Sequence, residues 1–106
     1  DENIPSERDL GAFLHKIAVL MDKHSLKEQR VEPGKETEGE RVNSIPVEME
    51  CRGGIQEIYS FYESLEGLKR LIRIEEINLV NSSDFTGELK MHTRAKIYFL
   101  SERSKG

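Results

Sequence analysis

Hydrophobic and polar residues alternate along this chain with two different periods. Leu10, Phe13, Leu14, Ile17, Leu20 and Met21 recur at steps of three and four, which predicts a helix over about residues 7–24. Ser6, with Asp9 three residues on, is placed to cap it. Ile45, Val47, Met49 and Cys51 instead alternate with Glu48, Glu50 and Arg52, the period-two pattern of a strand covered on one face. Gly53 and Gly54 follow, read as free backbone torsions for a sharp turn. A second helix then begins at once, with Ile55, Ile58, Tyr59, Tyr62 and Leu65 on one face and Phe61 near its edge. Gly67 is placed to end it.

Three further strands are expected. Leu26 to Val31 is weakly strand-like and closes at Pro33-Gly34, and the polar run 34–41 is read as an exposed hairpin loop with no structural signal of its own. Leu68 to Val80 is rich in isoleucine, but its inward set changes phase between Ile74 and Ile77, so Glu75-Glu76 is read as a bulge. Residues 81–88 make a turn. Leu89 to Leu100 then alternates Leu89, Met91, Thr93, Ala95, Ile97 and Phe99 against Lys90, His92, Arg94, Lys96 and Tyr98.

The order α-β-β-α-β-β gives two helices and four strands with one apolar face each, and a two-layer α+β sandwich covers all of them. The expected sheet is antiparallel, ordered third, fourth, second, first strand, a ferredoxin-like arrangement whose chain start has moved. Residues 1–5 are read as an arm, 6–100 as the domain and 101–106 as a polar tail. In this arrangement Glu48, Glu50 and Arg52 face Lys90, His92, Arg94 and Lys96 on the open side, so acid is expected across from base.

Composition narrows the function classes. The chain has 106 residues, 36% hydrophobic and 34% charged, enough for one domain with a modest core. Sixteen Lys and Arg are scattered among twenty acids for a net charge of −4, which argues against a nucleic-acid or membrane-surface partner. The single cysteine, Cys51, excludes an internal disulfide and a cysteine zinc cluster, and reads as a small buried hydrophobe. No run of eighteen apolar residues exists, and the start at Asp1-Glu2-Asn3 is read as that of a piece of a longer protein.

Candidate chemistry is sparse. His15, His24 and His92 have no Cys, Asp or Glu partner at metal-ligand spacing, so no metal site is expected. Glu75-Glu76 and Glu36, Glu38 and Glu40 read as solvated acids, and Ser6, Ser25 and Ser60 have no nucleophile motif. Tyr98 is alone as an aromatic on the open sheet face, beside carboxylates, which disfavours RNA. No catalytic residue and no cofactor are expected.

The stretch Ile45-Pro46-Val47-Glu48, Arg52-Gly53, Tyr59, Phe61 and Leu65, then Leu71-Ile72 and Ile77 to Leu79, preceded by a helix, a hairpin and Val31 to Gly34, carries a likeness. Over about residues 8–100 it resembles the C-terminal periplasmic domain of the PilO family of type IV pilus assembly proteins. Gly54-Ile55 departs from the small residue and aromatic that the family often has there. Such proteins carry a short cytoplasmic segment, one membrane helix and a coiled coil before this domain.

The resemblance implies a non-catalytic scaffold on the periplasmic face of the bacterial inner membrane. It also implies association with a PilN-like protein, with a PilP-like lipoprotein and with itself as a homodimer, the membrane being reached only through the missing helix. The GspM and GspL domains of type II secretion are the nearest alternative, and a ferredoxin-like regulatory domain for a small molecule is another. The expected interface is the first helix around Phe13, Leu14, Ile17 and Met21 and the second around Tyr59 and Tyr62, the plain alternative being that these residues are core.

Overall fold

The computed structural model describes residues 10–68, 72–82 and 86–100, which leaves the expected arm, the Ser6–Asp9 cap and the polar tail outside the described residues. Helix α1 spans Leu10–Lys23 and strand β1 Lys27–Pro33, joined by one tight turn. There Ser25 takes a left-handed backbone (φ 59°), its N–H donates to the Asp22 carbonyl, and the Leu26 N–H donates to the Met21 carbonyl. These are the paired bonds of a Schellman ending, and Leu26 and Met21, the residues that such an ending brings together, are both buried.

Strand β2 spans Val42–Gly53, helix α2 Ile55–Glu66, strand β3 Ile72–Asn81 and strand β4 Leu89–Leu100. The sheet is antiparallel in the order β1-β2-β4-β3, so the two central strands, β2 and β4, are the two with complete alternation. They pair without a register break from Val42 opposite Leu100 to Gly53 opposite Leu89. The α+β sandwich and sheet order match the expectation from the sequence.

The core lies between sheet and helices. Val47 and Met49 of β2, Met91, Ala95, Ile97 and Phe99 of β4, Ile17 and Met21 of α1, and Ile58, Phe61 and Leu65 of α2 are all at most 1% exposed. Each of these side chains larger than Ala95 contributes about 1.5–3 kcal/mol relative to exposure, whereas an exposed ion pair on the open face contributes about 0–1. Stability therefore comes from the helix side of the sheet.

Three local readings change. Gly53 and Gly54 do not need glycine torsions: Gly87 is the described glycine with a positive φ, and Gly54 is extended (φ −73°, ψ 161°). Gly53 instead makes room, since a Cβ there would lie 2.7 Å from Cδ2 of Leu26. The 34–41 hairpin has an anchor after all. Buried Asn43 accepts from the Gly39 N–H at 3.0 Å and donates to the Glu36 carboxylate, while Thr37 and Ser44 exchange backbone bonds. The strand expected from Leu68 begins at Ile72, with residues 69–71 outside the description, and the bulge falls between Ile74 and Glu76 as the phase change indicated.

Candidate functional site

The residues with chemical potential are occupied in the framework. His24 Nε2 lies 3.0 Å from Ser64 Oγ and ties the end of α1 to α2, while His15 is exposed on α1. His92 Nε2 lies 3.2 Å from Glu48 Oε1 and 4.0 Å from Glu50 Oε2 on the open face of the sheet. Glu76 holds Arg94 at 2.6 Å and Glu75 approaches Lys96 at 3.7 Å. Cys51 is buried with its Sγ 3.7 Å from Met91 Sδ, and burial pushes the thiol up to about 11. No group of three or more His, Cys, Asp or Glu is placed to hold a metal among the described residues.

The open face is an alternating charge field. Glu48 lies opposite Arg94 and Glu50 opposite His92, as the pattern implied, but Arg52 lies opposite Lys90. That like-charge pair is relieved from the strand ends: Glu88 takes Lys27 at 2.9 Å and Arg52 at 3.3 Å, and Glu28 takes Arg52 at 3.2 Å. Arg30 bridges Glu32 and Glu50, and the hydrogen bond and charge of Glu50, then the charge of Glu32, raise its pKa. A shallow depression of about 370 Å³ lies among Glu28, Glu50, Asn78, Val80, Lys90 and His92, walled by both signs of charge. Its walls set register and solubility rather than present one chemistry to a ligand.

The apolar surface collects elsewhere. Ile55 (56% exposed), Tyr59 (63%), Ile77 (46%) and Leu79 (41%) are four of the six large hydrophobic side chains exposed among the described residues. On α2 the Ser64 side faces α1 through His24. At about 100° per residue, Ile55, Tyr59 and Tyr62 form the opposite flank. Tyr62 fixes where that flank lies, because its phenol hydrogen-bonds to buried Thr93 of β4. Thr93 is paired with Ile77, and Met91 with Leu79, so both β3 residues point to the helix side. They stay exposed there because α2 stands over β4 and β3 is the next strand out.

Of the residues expected at an interface, Phe13, Ile17 and Met21 are buried against the sheet and Leu14 and Tyr62 are partly buried. Tyr59 is the one left as open surface. Ile55, Ile77 and Leu79 join it, and the periodicity had placed Ile55 and Ile77 on covered faces. Their signal was present in part: the apolar arc of α2 is wider than one sheet contact, and β3 combines an edge position with a bulge.

The comparisons with known proteins add the family. The family model described as the type IVa pilus alignment subcomplex PilO C-terminal domain matches residues 9–102. The chain belongs to the PilO family. Among solved structures, the type 4 fimbrial biogenesis protein PilO from Pseudomonas aeruginosa superposes with a TM-score of 0.80 at 18% identity, covering 94% of this chain and 75% of that one. The core region of PilO from the type IV pilus system of the same organism gives 0.60 at 16% identity, covering 77% and 89%. At these identities the structural likeness is one of fold. No curated protein matches the sequence. PilO membership makes this a domain of type IV pilus biogenesis, in a family that is part of a multi-protein alignment subcomplex. Among the described residues no helix is long and apolar enough to cross a membrane.

Proposed function

We propose that this domain is a non-catalytic scaffold in the inner-membrane platform of a type IV pilus machine, working by protein association on its periplasmic side. The observation that carries this reading is the apolar surface formed by Ile55 and Tyr59 of α2 with Ile77 and Leu79 of β3. Large apolar side chains left exposed on the same helix-covered side of a small, charge-rich domain are costly to keep in water and are what a partner covers. Family membership supplies the setting, a pilus subcomplex made of several proteins. The partners that fit are a PilN-like protein, a PilP-like lipoprotein and a second copy of the domain.

The test uses the domain as bait against detergent-solubilised membranes of its source bacterium, with retained proteins identified by mass spectrometry. Recovery of PilN- and PilP-type proteins, lost when Tyr59→Glu replaces the bait, is the expected result. Recovery of GspL-type proteins instead would move the domain to type II secretion. A folded bait that retains neither would remove the scaffold reading.

A further inference from the structure

The two edges of this sheet are built differently. β1 carries Lys27, Glu28, Arg30 and Glu32, ends in Pro33, and breaks register between Lys27 and Arg30 where Glu28 takes a left-handed φ of 52°. Charge, proline and a bulge are the devices that keep an edge from pairing. β3 beyond its bulge has none of them: Ile77, Asn78, Leu79, Val80 and Asn81 carry no charge and stay regularly paired to β4. The two helices differ as well. α1 ends on Lys23, a cation at the negative end of the helix dipole, whereas α2 contains no Lys or Arg and sets Glu63 and Glu66 in its last turn, where that dipole disfavours them. Among the described residues neither acid meets a hydrogen-bond or ion-pair partner. Lys69 and Arg70, the next cations along the chain, lie outside them.

The open edge and the acidic helix end belong to one slot. At about 100° per residue, Glu66 lies on the same flank of α2 as Ile55 and Tyr59, with Glu63 at its rim. Tyr62 stands at the level of Thr93 and so of Ile77; Glu66, one turn further on, falls level with Ala95 and its partner Ile74. The slot between α2 and β3 is therefore apolar along Ile55, Tyr59, Leu79 and Ile77 and acidic at its Ile74 end. The acids of β3 at that end are already taken towards the open face, Glu76 by Arg94 at 2.6 Å and Glu75 by Lys96 at 3.7 Å.

We propose that an extended, positively charged segment of another protein adds to β3 as a fifth strand, antiparallel to it, with apolar side chains in the slot and a Lys or Arg at Glu66. This rests on the association reading above and names the kind of partner that covers the surface. Antiparallel addition continues the pairing of the whole sheet. Side chains of the added strand alternate between faces, so those opposite Leu79 and Ile77 share the helix side, and the next on that side reaches the level of Ile74 and Glu66. The recognised pattern, read in chain direction, is apolar, any, apolar, any, Lys or Arg. In the reverse order the cation would meet the positive end of α2 instead. β3 of a second copy carries no cation after Arg73 and would leave Glu66 unmatched.

NMR spectroscopy of the isotope-labelled full chain, titrated with the synthetic peptide Thr-Val-Thr-Val-Thr-Arg-Thr, tests this. The expected result is a saturable shift of the amide signals of residues 77–81 and of Tyr59. The dissociation constant should rise at least about tenfold in Leu79→Asp and about three- to fivefold in Glu66→Lys. The reversed peptide, Thr-Arg-Thr-Val-Thr-Val-Thr, should bind more weakly. Glu66→Lys should at the same time raise the urea midpoint, because it removes an acid from the negative end of α2, so its weaker binding is not that of a damaged fold. No shift at residues 77–81 with the peptide in large excess, or binding indifferent to both substitutions, overturns the fifth strand. Shifts that follow the concentration of the chain and ignore the peptide make a second copy the occupant and overturn it as well. Retention of PilN- and PilP-type proteins that still depends on Tyr59 would then leave the scaffold reading standing without this partner.

Discussion

Thr93 brings a hydroxyl to the middle of the covered face of β4, where the Tyr62 phenol reaches down from α2 to meet it. Removing one partner strands the other in an apolar surrounding, so Thr93→Val and Tyr62→Phe should each cost about 1–2 kcal/mol in urea unfolding. The double variant should cost clearly less than the sum. A second residue gives a pH signature. The Cys51 thiol moves from 9.0 to about 11 because burial disfavours the thiolate. The folded chain then holds the proton to higher pH than the unfolded chain, so this contribution is fully present below pH 9 and is lost as pH rises towards 11. Unfolding free energy should fall over that window by up to about 1.4 kcal/mol per pH unit, and Cys51→Ala should flatten the slope. That Thr93 and Tyr62 both face inward was legible from their periods. That they meet was not, since a bond between α2 and β4 depends on how far the helix slides along the sheet.

At the scale of elements, periodicity located both helices and both central strands, because those segments have one wet and one dry face throughout. It failed where backbone geometry or a single side chain sets the structure. Ser25 ends α1 in a left-handed conformation that glycine adopts without strain. Ser25→Gly should therefore raise stability by about 0.5–1 kcal/mol, read from the urea midpoint at unchanged slope. Gly53 was legible as a turn residue and misread as to cause. The space it leaves is taken by Leu26, a residue 27 positions earlier, which no local pattern can show. Gly53→Ala should cost about 1–3 kcal/mol, most of it disappearing in a Leu26→Ala background where the methyl has room. The Asn43 anchor of the hairpin was missed for the same reason: a polar residue at the start of a strand looks like solvent-facing surface until the loop folds over it.

For the molecule as a whole, the family likeness read from residues 8–100 agrees with the family model over 9–102, and the fold agrees with solved PilO structures. The association surface was only partly legible. A stripe of apolar residues states that a helix has something to bury and does not state how much the sheet can cover, so buried Phe13, Ile17 and Met21 looked no different from exposed Tyr59. Exposed positions should separate accordingly: Tyr59→Glu should leave thermal stability within about 0.5 kcal/mol and abolish partner capture, whereas His15→Glu on α1 should change neither.

The β2–β4 ladder adds a mechanical property. Twelve residue pairs run without a slip from Val42–Leu100 to Gly53–Leu89, about 37 Å at roughly 3.4 Å per residue. Both bulges fall in the outer strands, so the middle of the sheet has no joint at which to bend. The two ends of this ladder, the hairpin end and the glycine-turn end, are therefore held at a fixed separation by the sheet itself.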